Sequence, residues 1–300
     1  MEIADSVITY VGKESKYSET AKTAKGSKAA AEDTPPATES LIRSDAYFES
    51  GDIVGEFRLS SADLLLRFRL GSSGDSRTTV GINAAGKTYG LGALARGQGK
   101  TISTAGEGTE PPVNEWGKFR IRVRGSHLEF FINDIRVVDG NVSIQRAQLE
   151  VLFGGVGKVE LRNFYIESIR PVAFVVMQFS AEYTALYKDV IAPVCEEFGY
   201  QVIRGDNVYT NGLIIDDITR SIRDCSIVIA DITPNNANVY YEIGFAHGIG
   251  KQTILLSDRN REKLPFDISG FRLLFYDNTI GGKAAVEEAL RKHLDAIRGA

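Results

Sequence analysis

The change of pattern at Pro171 constrains this chain more than any other feature. Before it, short runs rich in β-branched and aromatic residues follow one another: "DIVGEFRL", "DLLLRFRLG", "KFRIRVRG", "HLEFFIND", "IRVVDG" and "KVELRNFYIES". Gly, Ser, Asn and Asp punctuate them at the intervals of an antiparallel sandwich. After it, continuous apolar runs alternate with segments of helical periodicity, the pattern of a parallel sheet covered on both faces. The chain therefore reads as two domains of different class. An all-β sandwich is expected over residues 42–170 and an α/β domain over 171–300. At 300 residues each half can bury a core of its own.

Residues 1–41 read differently again. Lys13 to Ser40 is Lys, Ser, Thr, Ala and Glu with almost no large apolar residue, which cannot bury enough surface to offset ordering. It is expected to be a mobile segment, or a long loop if Val7–Val11 pairs as a first strand. Two hairpins are explicit in the sandwich. Gly125-Ser126 separates "FRIRVR" from "HLEFFI", with Ile121 and Val123 on one face and Arg120, Arg122 and Arg124 on the other. Asn133-Asp134 makes the next turn. The order "NEWGKFRIRVRGSHLEFFINDIRVV" resembles the laminin-G-like, concanavalin-A-like jelly rolls. That resemblance allows a glycan to stack on Trp116. A residue plugging a sandwich edge is the preferred reading of the tryptophan, and no Asp/Asn cluster offers a calcium-dependent sugar site. An assembly or sensing domain is the expectation.

In the second half "VAFVVMQF" is the first buried strand, and "EYTALYKDVIAPVCEEFG" follows with Leu186, Val190, Val194 and Phe198 at helical spacing. "YQVIRGD" is a strand, "IIDDITRSIRD" a helix with Ile214, Ile218 and Ile222 in line, and "SIVIADI" a third strand. A helix capped by Asn238 comes next, then strands "QTILLSD" and "FRLLFYD" and a closing amphipathic helix "AAVEEALRKHLDAIRG". Five such units imply a flavodoxin-like doubly wound sheet, whose ligand crevice lies at the carboxyl ends of the strands.

Composition excludes several classes. Net charge is −4 with pI near 5.6, so no overall basic field draws nucleic acid. Cys195, Cys225, His127, His247 and His293 are too scattered for a metal site or a disulfide framework, and no metal is expected. No apolar run reaches the roughly 18 residues that cross a bilayer, and the first residues lack the form of a secretory signal. A cytoplasmic protein with reduced thiols is expected.

The candidate chemistry lies in "ADITPNNANVYYEIGFAHGIGK", Ala230 to Lys251. Glu242 stands in a helix otherwise made of apolar, aromatic and small residues, one turn after Asn238, so both point back toward the rim of the sheet. The other rim loops bring Phe179, Ser180, Arg204, Asp206, Asp231, Thr233 and Tyr241 as candidate substrate-binding residues. The amino end of the helix offers free N–H groups suited to phosphate. His247 falls off the Glu242 face and reads as structural.

The C-terminal 130 residues or so, and above all this string, resemble the prokaryotic TIR-like and nucleoside 2-deoxyribosyltransferase-like superfamily. The shared elements are the Asp-Ile-Thr at Asp231–Thr233 and the Asn-Val-Tyr-Tyr-Glu-Ile-Gly run that ends in Ala246-His247. The resemblance implies that Glu242 is the catalytic carboxylate for breaking an N-glycosidic bond. It also implies a nucleotide-depleting effector of bacterial defence or stress, activated by assembly as a homo-oligomer or filament through an attached domain, which an activating ligand or partner could engage. Cleaving a base from ribose passes through an oxocarbenium-like state at C1′ that a carboxylate can steady or capture. Nicotinamide leaves NAD(P) as a neutral molecule, so one carboxylate suffices. A nucleobase wants a general acid. Deoxyribosyltransferases carry a second acid about six residues before the glutamate, where this chain has Asn236. NAD(P) hydrolysis, with NAD(P) as substrate and no cofactor, is the first expectation. A nucleoside or nucleotide deoxyribosyltransferase or hydrolase and a non-enzymatic nucleotide-binding module are the alternatives.

Overall fold

Three sheets organise the chain in a computed structural model that describes residues 7–13, 39–205, 213–261, 268 and 270–299. In chain order the first twelve strands are β1 (Ile8–Gly12), β2 (Glu39–Phe48), β3 (Gly51–Leu59), β4 (Leu65–Ser73), β5 (Ser76–Ala84) and β6 (Lys87–Ala95), then β7 (Gln98–Ala105), β8 (Gly117–Arg124), β9 (His127–Ile132), β10 (Ile135–Asn141), β11 (Ala147–Gly154) and β12 (Gly157–Ser168). They form two six-stranded antiparallel sheets, ordered β1-β12-β3-β8-β9-β10 and β2-β11-β4-β5-β6-β7. The sandwich thus begins at Ile8 rather than near residue 42, because β1 pairs antiparallel with β12. Most of the segment expected to be mobile lies outside the described residues.

Alternation sets the sandwich core. Phe57, Phe68, Phe119, Ile121, Val123 and Phe130 are buried between the sheets, with the Phe68 and Phe119 rings 4.8 Å apart. Their neighbours in sequence face outward, so each strand contributes one apolar face to an interior shared by both sheets. Both expected hairpins are present. Asn133 and Asp134 take positive φ of 48° and 64°, the pairing a two-residue turn with matching twist requires.

The second domain follows a linker of only Ile169 to Pro171. Its elements are β13 (Val172–Val176), α1 (Ala181–Leu186), a π-helical turn (Tyr187–Ile191), α2 (Ala192–Glu197), β14 (Gln201–Arg204), α3 (Ile214–Asp224), β15 (Ile227–Asp231), α4 (Ala237–Gly248), β16 (Thr253–Asp258), β17 (Leu273–Tyr276) and α5 (Ile280–Gly299). The sheet is parallel throughout, in the order β14-β13-β15-β16-β17. Ala173 and Val175 pack with α2 and α5 on one face, while Phe174 and Val176 pack with α3 and α4 on the other. A strand buried on both sides has no polar face to offer, which explains the unbroken apolar run. The expected single first helix is interrupted by the π-helical turn. Pro193 follows it directly and has no N–H to give the preceding turn. In α3, Ile218 and Ile222 are buried but Ile214 is 81% exposed, so the expected apolar line stops one turn short of the helix start. Among the described residues no helix is long and apolar enough to cross a membrane.

The domains meet at the amino ends of the parallel strands. The β8–β9 turn lies against the end of α3, so closely that a side chain at Gly125 would place its Cβ 1.8 Å from the Cys225 carbonyl oxygen. Lys251, which follows α4, is buried and donates from Nζ to the carbonyls of Arg223 and Cys225. Arg170 in the linker donates to the carbonyls of Gly199 and Tyr200. A small cavity of about 50 Å³ remains between the domains, lined in part by Ser126, Val142, Tyr200, Ser226 and Gln252.

Candidate functional site

The helices flanking β13 and β15 leave on opposite faces of the sheet, the switch point at which folds of this topology place their ligand crevice, beyond the carboxyl ends of the two strands. Two loops bound it. After β13 come Gln178, Phe179 and Ser180; after β15 comes the loop leading to α4. Asn236 bridges them by donating from Nδ2 to Gln178 Oε1 at 3.5 Å. Asn236 is also the N-cap of α4, its Oδ1 accepting the Asn238 N–H at 2.9 Å. The expected cap, Asn238, is instead an exposed residue of the first turn.

Glu242 sits one turn further on, where α4 buries Val239, Ile243 and Ala246 against the sheet. Its carboxyl group makes no hydrogen bond or ion pair with any described residue. Burial alone pushes its pKa up to about 7, because a desolvated carboxylate loses water and gains nothing in return. A group poised near neutrality can act as carboxylate or as acid. Gly244 and Gly248 leave an open stripe along the same helix, with no heavy atom within 4 Å of the Cβ position at either. His247 stacks on Phe271, ring centroids 4.3 Å apart.

Around the crevice Phe179 is 53% exposed, and the Arg204 guanidinium lies 5.6 Å from its ring centroid and 4.7 Å from that of Tyr187. Arg204 also donates to Thr184 Oγ1 at 3.3 Å. Ser180 precedes α1, yet its buried Oγ has no hydrogen-bond partner and makes no cap. Tyr241 is 55% exposed. Asp206 lies outside the described residues.

Asp231 and Thr233 are placed otherwise than expected. Asp231 is fully buried, and Thr233 donates to its Oδ1 from N at 3.0 Å and from Oγ1 at 2.6 Å. The Tyr276 hydroxyl donates to Asp231 Oδ2 at 3.2 Å and lies 2.8 Å from Thr233 Oγ1, which also accepts the Asp258 N–H at 2.9 Å. This knot ties the ends of β15, β16 and β17 together. Its polar atoms are engaged with one another rather than offered to a ligand, and burial raises the pKa of both Asp231 and Tyr276. Tyr276 was not singled out from sequence, since "LLFYD" reads as an ordinary strand end. Arg261 also escaped notice. It reaches from the loop after β16 to the Ile232 carbonyl and the Tyr240 hydroxyl.

Beyond the knot a cleft of about 240 Å³ opens between α1 and α5, lined in part by Tyr183, Leu186, Asp189, Tyr276, Thr279 and Lys283. Glu242 does not line it. Cys195 and Cys225 are buried, which pushes their thiols up to about 12 and about 11, out of nucleophilic range. Among the described residues no three His, Cys, Asp or Glu side chains converge to hold a metal.

No protein-family model matches the sequence, and no curated protein matches it. Solved structures match each half. The carbohydrate binding module CBM66 of Bacillus subtilis is 15% identical over 43% of this chain and 82% of its own, with a TM-score of 0.38. A B. subtilis protein of unknown function with a galectin-like fold is 10% identical over 45% and 80%, with a TM-score of 0.39. The TIR domain of a Toll-related receptor from Hydra magnipapillata is 13% identical over 42% and 97%, with a TM-score of 0.35. By its own strand order, the chain joins an antiparallel jelly-roll sandwich to a flavodoxin-like parallel sheet.

Proposed function

We propose that the C-terminal domain is an N-glycosidase that cleaves the nicotinamide–ribose bond of NAD(P), with Glu242 as the catalytic carboxylate. The observation that carries this reading is the state of that side chain: partly buried, without a described partner, pKa about 7, beside the crevice of a doubly wound sheet. The C1′–N bond breaks with its electron pair passing to the pyridinium nitrogen, and nicotinamide leaves neutral. The positive charge left on C1′ and the ring oxygen is steadied by the carboxylate. Water then bonds to C1′ and gives up a proton to Glu242. Phe179 offers a ring face, while Arg204 and the unpartnered Ser180 hydroxyl are suited to phosphate oxygens. Asp231 and Thr233 hold the loop rather than the ribose. The sandwich serves as the assembly or sensing domain, and the active species is a homo-oligomer or filament.

The test is release of free nicotinamide from NAD, followed as protein concentration rises. Because the carboxylate form is required, the rate rises with pH through about 7 and then levels. One feature favours a second reading, release of a nucleobase from a nucleoside or nucleotide. At neutral pH about half of Glu242 is protonated by the same pKa, and that form could donate to a departing base. A rate that falls as pH rises through the same range, with free base and no nicotinamide, selects it. Saturable binding without turnover at any concentration selects a non-enzymatic nucleotide-binding module.

A further inference from the structure

The outward faces of the two sandwich sheets treat their arginines differently. On the sheet that contains β3, β8 and β12 every named guanidinium meets a carboxylate: Arg58 with Glu160, Arg120 with Asp134, Arg122 and Arg124 with Asp52, Arg136 with Glu129, and Arg162 with Glu56. On the opposite sheet β4 presents Arg67 and Arg69, two residues apart on one face, and neither is ion-paired among the described residues. Arg67 donates to the Asn83 carbonyl and is half-buried. Burial lowers its pKa, the Glu39 charge opposes this, and the neighbouring Arg69 charge adds to the lowering. The Arg69 Nε is buried with no hydrogen-bond partner among the described residues. Glu150, the residue across the ladder from Arg69, is already taken by Arg43 and Ser72.

The ladder places Thr79 beside Arg69 and Gly81 beside Arg67 on β5, with Gly92 and Gly90 next on β6 and then Thr101 and Thr104 on β7. No bulky or acidic side chain stands on that stretch. At one end an open cleft of about 470 Å³ is lined by Arg67, Thr88, Gly106 and the ion pair of Lys87 with Glu107, among others.

We propose that this face binds a small ligand through an oxyanion, a carboxylate or a phosphate ester, held by Arg69 and Arg67. Residues two apart on a strand have Cα atoms about 6.7 Å apart, so the two like charges repel, and a shared oxyanion removes the repulsion. The site lies on the sandwich and does not depend on Glu242.

The experiment titrates the full chain, at low ionic strength, with glucuronate, glucose 6-phosphate and uncharged glucose, read by calorimetry and by side-chain Nε–H resonances of arginine. Saturable binding of one or both charged sugars, with glucose at least about tenfold weaker, is expected. The first two arms separate carboxylate from phosphate recognition. Arg69→Gln should weaken the charged ligand by roughly tenfold or more, whereas Arg136→Gln on the paired face should leave it unchanged. Equal binding of glucose, undiminished binding in Arg69→Gln, equal loss in both variants, or no saturable binding to a folded protein would each overturn the proposal.

Discussion

The parallel domain treats two ionisable side chains, Lys251 near the amino ends of its strands and Glu242 in α4, in opposite ways. At the amino end, against the sandwich, Lys251 is 4% exposed, and its ammonium group meets two backbone carbonyls. Burial still lowers its pKa, but the charge has somewhere to go. At the carboxyl end Glu242 is desolvated and has no described partner. Evolution of a stable fold alone would favour the first arrangement and remove the second. A cost kept without structural return points to use, and that contrast directs attention to the carboxyl rim.

The contrast can be broken by substitution. The largest expected effect is on turnover: Glu242→Ala should lower nicotinamide release by about a thousandfold or more while the far-UV circular dichroism stays that of the parent. Unchanged release would end the assignment of Glu242. Next, Lys251→Ala leaves two buried carbonyls without a donor and should cost about 3 kcal/mol in urea unfolding, with no direct effect on chemistry. If it proves neutral, the amino end is no better satisfied than the carboxyl end.

Third comes the sign of a pH effect. The folded-state pKa of Glu242, about 7 against an ordinary value of 4.5, is raised, so the folded protein binds the proton more tightly than the unfolded chain. The resulting penalty is absent below about pH 4, grows between the two values, and is full above pH 7. Glu242→Gln should therefore add about 2–3 kcal/mol of stability at pH 8 and almost none at pH 4, measured as paired denaturation curves. Equal stability at both pH values would mean that the carboxyl is better solvated than its surroundings indicate. The smallest effect is expected at the knot. Thr233→Val removes a hydroxyl that bonds Asp231 and accepts from Asp258, and should cost about 1–2 kcal/mol together with some loss of activity through the loop that leads to α4.

Sequence made the parallel domain legible because its strands are buried on both faces and its helices carry long apolar residues. The central strands of that sheet announce themselves as runs such as "VAFVV" or "IVIAD". The sandwich was legible only where large residues alternate. β5, β6 and β7 read "SRTTVGINA", "KTYGLGALA" and "QGKTISTA", in which glycine, threonine and alanine carry little periodic signal although the ladder holds them as strands. Glu242 was visible because a lone acid among apolar neighbours breaks a pattern. Tyr276 and Arg261 were not, since their roles arise from loops that meet only once the sheet is assembled. Asn236 and Asn238 were confused for a simpler reason. Both are good capping residues two positions apart, and only the backbone decides which precedes the first helical turn.

The β8–β9 turn touches the parallel domain at the end of α3, where Gly125 lies against the Cys225 carbonyl. A rearrangement of the sandwich would therefore reach α3 first and, through the core that α3 shares with α4, the helix that carries Glu242.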